Sequence, residues 1–151
     1  MSLEDLYRQG RLKQHKTSAK EIKELLQVVD RDLKDAEIKG LSADRKFATA
    51  YNAALGLATI SLYCKGYRPH GLGQHYTVFQ AMKESMGAGF FELADYFNAC
   101  RVKRNVIDYD RAGGISKGET EKLLKEARHF REITIHWLQS NHPRFLCADR
   151  G

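Results

Sequence analysis

The sequence predicts an all-α fold, an up-and-down bundle of four main helices with one or two short helices beside them. Apolar residues recur at spacings of three and four in several long segments, and no segment of useful length alternates as a strand would. Serines stand at the starts of these segments, and breaks containing glycine separate them. Because the breaks are short, neighbouring helices should run antiparallel.

The first half of the chain predicts three helices, over residues 3–10, 18–38 and 42–65. Ser18, followed three residues later by Glu21, has the capping-box pattern that opens a helix. Ser42 starts the third helix, which is rich in alanine. Alanine has the highest helix propensity and lets helices approach closely, so we expect this helix to lie in the core.

The second half predicts three more helices, over residues 75–86, 90–111 and 116–139. The break before them, residues 66–73, holds three glycines and a proline and is the clearest in the chain. Ser116 and Glu119 repeat the capping-box pattern. We therefore expect one helical-bundle domain over residues 1–140 and a loose C-terminal tail over residues 141–151.

The amino-acid composition indicates the class of protein but says little about its function. A chain of 151 residues that is 42% hydrophobic can form one packed domain. Its net charge of +6 is compatible with a polyanionic partner, but the charges are spread along the chain and equally suit an ordinary surface. Three cysteines without a CxxC pair predict a reduced, cytoplasmic protein, and we expect neither a leader peptide nor a membrane-spanning segment.

The fifth helix contains the most informative cation of the chain. Its apolar stripe is formed by Leu93, Tyr96, Phe97, Cys100 and Ile107, and Arg104 falls within that stripe. A guanidinium is rarely buried without a partner, and Asp108, one turn further on, has the right spacing for an ion pair. Such a pair could serve only to fix the helix register, which is as good an explanation as a ligand site.

A second apolar group lies on the opposite face of the same helix. It consists of Phe91, Val102, Val106 and Tyr109. A helix that is apolar on two faces needs two neighbours, its own bundle and a further surface. We therefore expect a homodimer or another partner chain at this face.

These features together resemble the HEPN superfamily of small helical proteins. The resemblance covers residues 43–138: a helix with the run from Ala50 to Leu55, the glycine turn, His75 just beyond it, and Arg104-Asn105 late in a helix. It implies a helical dimer from a toxin–antitoxin or defence system, with a nucleotidyltransferase as a partner protein. The family's ribonuclease motif continues with a histidine about one turn after the arginine; here Tyr109 stands in its place.

The resemblance leads to one main hypothesis and two alternatives. In the first, the domain binds RNA or a nucleotide through Arg104 and Asn105, helped by Arg101 and Asp108, and catalysis is absent or weak. In the second, it is a metal-independent ribonuclease toxin in which Arg104, Asn105, Tyr109 and a substitute base, His75, act on RNA. In the third, it is a structural dimer without a small ligand.

No cofactor or metal is expected from the sequence. A single Glu126-x-x-His129 pair is too little for a di-iron site, which requires two such pairs and two further glutamates. Zinc would need paired cysteines or histidines at ligand spacing. No phosphate-binding glycine loop or dinucleotide fingerprint occurs either.

Overall fold

A computed structural model describes residues 1–109 and 114–146, without the side chains of residues 107–109. The described elements are, in chain order, α1 (Leu3–Arg8), β1 (Leu12–Gln14), α2 (Ala19–Asp35), α3 (Ala43–Cys64), β2 (Tyr67–Pro69), α4 (Gln74–Met86), a 3₁₀ turn (Ala88–Phe90), α5 (Phe91–Tyr109), α6 (Lys117–Asn141) and a second 3₁₀ turn (Pro143–Leu146). The predicted all-α class is confirmed. Its likeness to the HEPN fold stays a prediction.

Serine hydroxyls begin most of the helices, as the sequence predicted. The side chains of Ser18, Ser42 and Ser116 each accept a hydrogen bond from the backbone N–H three residues later. The two predicted capping boxes are only half formed, however. Glu21 turns its carboxylate to His15 and Thr17, and the carboxylate of Glu119 pairs with Lys103 on α5.

Helix α3 is the centre of the bundle, because it contacts α2, α4, α5 and α6. Four of its alanines are fully buried: Ala50, Ala53, Ala54 and Ala58. Gly56 shows how closely α2 approaches, since a Cβ added there would lie 2.9 Å from Cγ2 of Val29. The small side chains of α3 therefore permit the tight packing that the sequence indicated.

An aromatic row links α3 to the remaining helices. Tyr51 of α3 meets the ring of Phe79 on α4 edge-on, with ring centres 5.9 Å apart. Phe79 in turn contacts Phe97 of α5 at 5.9 Å, and Phe97 contacts Phe130 of α6 at 5.2 Å. All four rings are buried, so they hold α4 and α5 against the core.

Two strands of three residues tie the glycine-rich break to the start of the chain. They pair antiparallel, with Leu12 opposite Pro69, and the N–H of His70 donates to the carbonyl of Arg11 at 2.9 Å. The sequence did not predict them, because three residues are too few to show alternation. The chain then passes through Gly73, whose φ of 68° suits glycine, and enters α4.

The chain end differs from the prediction. Helix α6 continues to Asn141, and Phe145 in the following 3₁₀ turn is only 8% exposed, packed in the core. The loose tail expected from residue 141 therefore does not begin there, because an aromatic side chain anchors the turn. Residues 147–151, with Cys147, lie outside the described residues.

Cys64 and Cys100 are both free and buried. Among the helices that the structure describes, none is both long enough and apolar enough to cross a bilayer. Over the same residues, no three side chains of the His, Cys, Asp or Glu type come together as a set that could ligate a metal ion.

Candidate functional site

Arg104 lies at the edge of the core, between α3 and α5. Its side chain is half-buried, and its guanidinium carbon lies 5.4 Å from the ring centre of Tyr51. A guanidinium at this distance from an aromatic ring is held by a cation–π attraction of about 0.5–2 kcal/mol, depending on its exposure to water. The sequence placed Arg104 in an apolar stripe, and its position against a buried ring agrees with that.

Tyr51 connects Arg104 to His75. The phenol belongs to the buried face of α3, and its hydroxyl makes a hydrogen bond of 3.1 Å with Nδ1 of His75 at the start of α4. The two rings lie 5.9 Å apart. The structure therefore brings together Arg104 and His75, which are 29 positions apart in sequence, through a side chain of the helix that the sequence predicted to lie in the core.

The local environment keeps both ring groups uncharged at neutral pH. Burial lowers the pKa of His75, and the positive charges of Arg104 and Arg101 lower it further. Burial raises the pKa of Tyr51 well above its ordinary value, although the two arginines oppose this. Tyr51 thus keeps its proton and can either donate to Nδ1 of His75 or accept from it.

These two arrangements give His75 two different capabilities. If Tyr51 donates, Nε2 carries the ring proton and can donate to an anion. If Tyr51 accepts, Nε2 has a free lone pair and can act as a base. His75 is buried only in part and keeps an exposed surface, through which a ligand can approach the ring in either tautomer.

A second aromatic ring with nearby cations lies next to His75. The guanidinium carbons of Arg11 and Arg101 lie 5.4 and 5.5 Å from the ring centre of Tyr76, which is 44% exposed. Arg11 is anchored by Thr77 Oγ1 at 3.1 Å and by Gln80 Oε1 at 2.5 Å. We call the group of Tyr51, His75, Tyr76, Arg101 and Arg104 the α4–α5 site.

The start of α4 adds a favourable potential for anions. Helices α1, α2, α3 and α6 each begin at a serine that accepts a backbone hydrogen bond, whereas α4 begins at Gly73, which makes no side-chain cap. The first N–H groups of a helix have no partner within it, and the helix dipole favours negative charge at this end. His75 and Tyr76 both lie in this first turn, beside Arg101 and Arg104.

The structure gives less information about the other predicted site residues. Asn105 is exposed on α5, one position beyond Arg104. The side chains of Asp108 and Tyr109 lie outside the described residues, so the predicted pairing of Arg104 with Asp108 and the position of Tyr109 stay predictions. Arg101 is half-buried and belongs to the α4–α5 site.

Sequence reasoning missed Tyr76 and Arg11 as members of this region, and it missed that Tyr51 connects Arg104 to His75. Tyr51 carried a usable signal, because a buried tyrosine hydroxyl requires a hydrogen-bond partner. Arg11 carried none, since its contacts join positions 66 and 69 residues apart. Such contacts depend on how α4 docks against the first strand, which periodicity does not reveal.

The outer face of α5 is apolar and open. Phe91 is 43%, Val102 50% and Val106 45% exposed. These are three of the four residues that the sequence assigned to a second apolar face of the helix. The face lies on the same helix as Arg101 and Arg104.

Comparison with known proteins yields no matching family model, no similar curated protein and no similar solved structure. The chemistry of the α4–α5 site is therefore the basis for any functional conclusion. That chemistry comprises arginine forks, an exposed aromatic ring, an uncharged histidine and an open helix start. Arginine forks can donate to an anion, and an exposed aromatic ring can stack on a flat group.

Proposed function

We propose that this chain is a HEPN-like helical domain that binds RNA or a nucleotide at the α4–α5 site, with catalysis absent or weak. One observation carries the proposal: Arg104 lies over the Tyr51 ring, whose hydroxyl is bonded to His75. The Tyr51 ring contacts the guanidinium and its hydroxyl contacts the imidazole, so one tyrosine holds a cation and a polar ring close together. Asn105 extends the site along the exposed side of α5.

The arginines favour a phosphate as the bound group. A guanidinium presents parallel N–H donors that match two phosphate oxygens, and it stays charged at all relevant pH values. Arg101 and Arg104 are one helical turn apart, so both can reach one phosphate or two successive ones. The open N-terminus of α4 supports the same ligand, because its backbone N–H groups and dipole favour an anion.

The aromatic rings favour a nucleotide over inorganic phosphate. Tyr76 is exposed and has two guanidinium groups near it, an arrangement on which a base can stack. Stacking on an aromatic side chain contributes about 1–3 kcal/mol per base and does not depend strongly on sequence. Phosphate contact and base stacking together describe binding to a single-stranded ribonucleotide unit.

The position of His75 supports a second candidate function, a metal-independent ribonuclease. Cleavage by the RNA's own 2′-hydroxyl needs a base, a cation for the charged transition state and a proton for the leaving oxygen. His75 in the tautomer with a free Nε2 can serve as the base, and Arg104 as the cation. A second proton-transfer group is also required. Tyr109 is the candidate for it, as a hydrogen-bond donor, which is why we place binding before cleavage.

The exposed face of α5 supports the homodimer proposed for this domain. Val102 and Val106 would be covered by a second copy, and Arg101 and Arg104 on the same helix would then lie near the dimer interface. Val102→Glu or Val106→Glu should convert the protein to a monomer in size-exclusion chromatography with light scattering. An unchanged mass in both variants would contradict this. A toxin–antitoxin context with a nucleotidyltransferase partner remains part of the proposal.

The main test measures binding of a fluorescent mixed-sequence oligoribonucleotide at several salt concentrations. We expect salt-sensitive binding, because phosphate contacts release counterions. Arg104→Ala should weaken it about tenfold or more, the loss of a charge-assisted contact. Arg8→Ala is the matched control, since Arg8 is an exposed arginine paired with Glu4 on α1. An equal loss of affinity in both variants would mean that the effect comes from net charge alone, and it would refute the site.

The same samples decide between binding and cleavage. Purified protein is incubated with a mixed RNA, and products are followed by denaturing electrophoresis. RNA that stays intact while it binds supports the main proposal. Cleavage that disappears in both Arg104→Ala and His75→Ala would instead establish the ribonuclease, and cleavage unchanged in both would exclude this site as its source.

A further inference from the structure

A cavity of about 350 Å³ opens between α4 and α5, next to the α4–α5 site. Its wall includes Tyr76, Gln80, Glu84, Ala94, Asp95 and Asn98. We infer that this cavity holds the base of the nucleotide whose phosphate binds at Arg101 and Arg104. The inference rests on the proposed function and deepens it, because it gives the ligand a base-recognition site in addition to the phosphate contact.

Arg101 joins the cavity to the phosphate site. Its Nε donates to Oδ1 of Asn98 at 2.8 Å, and its guanidinium carbon lies 5.5 Å from the centre of the Tyr76 ring. Asn98 and Tyr76 are both wall residues of the cavity. Arg104 follows Arg101 by one helical turn, so the cavity and the two arginines form one continuous path along α5, about 9 Å from residue 98 to residue 104.

Two arginines orient the amide groups of the wall. Asn98 accepts from Arg101 through its oxygen, and Gln80 accepts from Nη2 of Arg11 through its oxygen at 2.5 Å. An amide that gives its oxygen to an arginine has its NH₂ group left as the polar end for a ligand. The wall therefore offers two donors whose orientation is determined before a ligand enters.

The wall also carries acceptors and an aromatic surface. Glu84 and Asp95 contribute carboxylates, and Asp95 is held by Lys83 at 2.5 Å. Tyr76 and Phe91 contribute rings. Oriented donors, carboxylate acceptors and flat apolar surfaces on one small cavity match the edge and the faces of a nucleobase. A simple phosphate or a sugar phosphate would use none of the rings.

The test compares the four ribonucleoside 5′-monophosphates with ribose 5-phosphate by isothermal titration calorimetry. The sugar phosphate shares the phosphate and lacks the base, so the affinity ratio isolates the contribution of the base. We expect at least one nucleotide to bind about tenfold tighter than ribose 5-phosphate. Equal affinities for all five compounds would overturn the inference.

Two isosteric variants locate the base. Asn98→Asp and Gln80→Glu each keep an oxygen for the neighbouring arginine, replace the NH₂ donor by a carboxylate oxygen and add one negative charge. The added charge acts on the phosphate of every ligand, so the ratio of nucleotide to ribose 5-phosphate affinity, and not either affinity alone, reports the loss of the donor. At least one of them should bring the ratio of nucleotide to ribose 5-phosphate affinity to within about twofold of unity. A ratio unchanged in both variants would place the base elsewhere and overturn the inference.

A separate control distinguishes this inference from the proposed function. In Arg104→Ala, all five phosphates should bind more weakly, whereas the ratio of nucleotide to sugar-phosphate affinity should persist. If Arg104→Ala leaves every affinity unchanged, the phosphate site itself is wrong. If it weakens all of them but no base effect exists in the unsubstituted protein, only the cavity assignment fails.

Discussion

Helix α3 has two kinds of neighbour, and they differ in chemistry. Toward α2 the contact is tight and apolar, with Gly56 so close to Val29 that a methyl group would not fit without a shift. Toward α4 and α5, the same helix presents Tyr51, which carries a guanidinium over its ring and a histidine on its hydroxyl. One contact consists of hydrocarbon, and the other contains a cation and two titratable rings.

This difference indicates which side is optimised for stability. Close apolar packing contributes to folding through burial and dispersion. Placing an arginine and an uncharged histidine beside a buried phenol costs desolvation energy, and a hydrocarbon cluster of the same volume would avoid that cost. A cluster kept despite such a cost is expected at a functional site.

The largest effect is expected where the aromatic row connects the two sides. Phe97→Ala removes a fully buried ring between Phe79 and Phe130 and should lower the free energy of unfolding by about 3–5 kcal/mol. Phe91→Ala, on the same helix but 43% exposed, is the matched control and should cost less than about 1 kcal/mol. Urea denaturation gives both values, and similar losses would contradict the assignment of the two faces of α5.

Thr134 is a buried polar residue of the core, outside both of these contacts. Its hydroxyl on α6 is fully buried, and among the described residues it has no hydrogen-bond partner. Thr134→Val keeps the shape and removes the unsatisfied hydroxyl, so the free energy of unfolding should rise by about 1–2 kcal/mol. Thr59→Val is the control, because Thr59 donates to the carbonyl of Leu55 at 2.8 Å and should gain nothing. A loss of stability in Thr134→Val would refute this description of its environment.

A smaller effect is expected at the close contact between α2 and α3. In Gly56→Ala, Val29 must shift, at a cost of about 1–3 kcal/mol, while the higher helix propensity of alanine returns about 1 kcal/mol. The net result should be a loss of about 1 kcal/mol in thermal or urea unfolding. Gly118→Ala on α6 adds a Cβ at an ordinary 4.0 Å from Oγ of Ser116 and should not destabilise. Stabilisation by Gly56→Ala would mean that the helices are less tightly packed.

The polar side should respond to pH through His75. Burial and the two arginines lower the pKa of its free form, so at neutral pH the ring is uncharged. A bound phosphate favours the charged ring and raises that pKa, so binding takes up a proton. Affinity for a phosphodiester oligonucleotide, which does not titrate in this range, should therefore rise as the pH falls from neutral toward the lowered pKa of the free His75 ring. His75→Asn should lose this dependence, and an identical pH profile in both proteins would exclude contact between His75 and the phosphate.

The same pKa shift has a consequence for stability. Because the folded state holds the proton less tightly than the unfolded chain, the unfolded chain binds more protons at low pH. The contribution of the neutral His75 to stability is thus present above about pH 6.5 and is lost as the pH falls through its lowered value. His142, whose pKa is lowered by burial and by Lys65 and Arg144, acts in the same direction.

Much of the fold could be predicted because its signals are local. Ser18, Ser42 and Ser116 each cap a helix where the sequence placed one, since capping depends on residues within one turn. The buried stripe of α5 followed from periodicity, and Phe97 and Cys100 are buried as expected. The anchoring of Phe145 was missed, because the twelve residues after the last periodic segment show no pattern.

The candidate site could be predicted only in part. Arg104 was identified because a charge in an apolar stripe is unusual, and His75 was proposed as its companion only on the condition that the bundle brings them together. Tyr51, which makes that connection, looks like an ordinary core residue in sequence. Contacts such as Arg11 with Gln80 depend on tertiary docking, so local patterns carry no trace of them.

The central claim is that a nucleotide phosphate binds at the α4–α5 site, where Tyr51 links Arg104 to His75. A double-mutant cycle tests most directly whether these two side chains contact the same phosphate. Affinities for one oligoribonucleotide are measured for the unsubstituted protein, Arg104→Lys, His75→Ala and the double variant; lysine retains the charge and keeps binding measurable. A shared phosphate predicts a coupling energy of about 1 kcal/mol or more. Losses that add within about 0.5 kcal/mol would mean that the two side chains act independently, and would contradict the account.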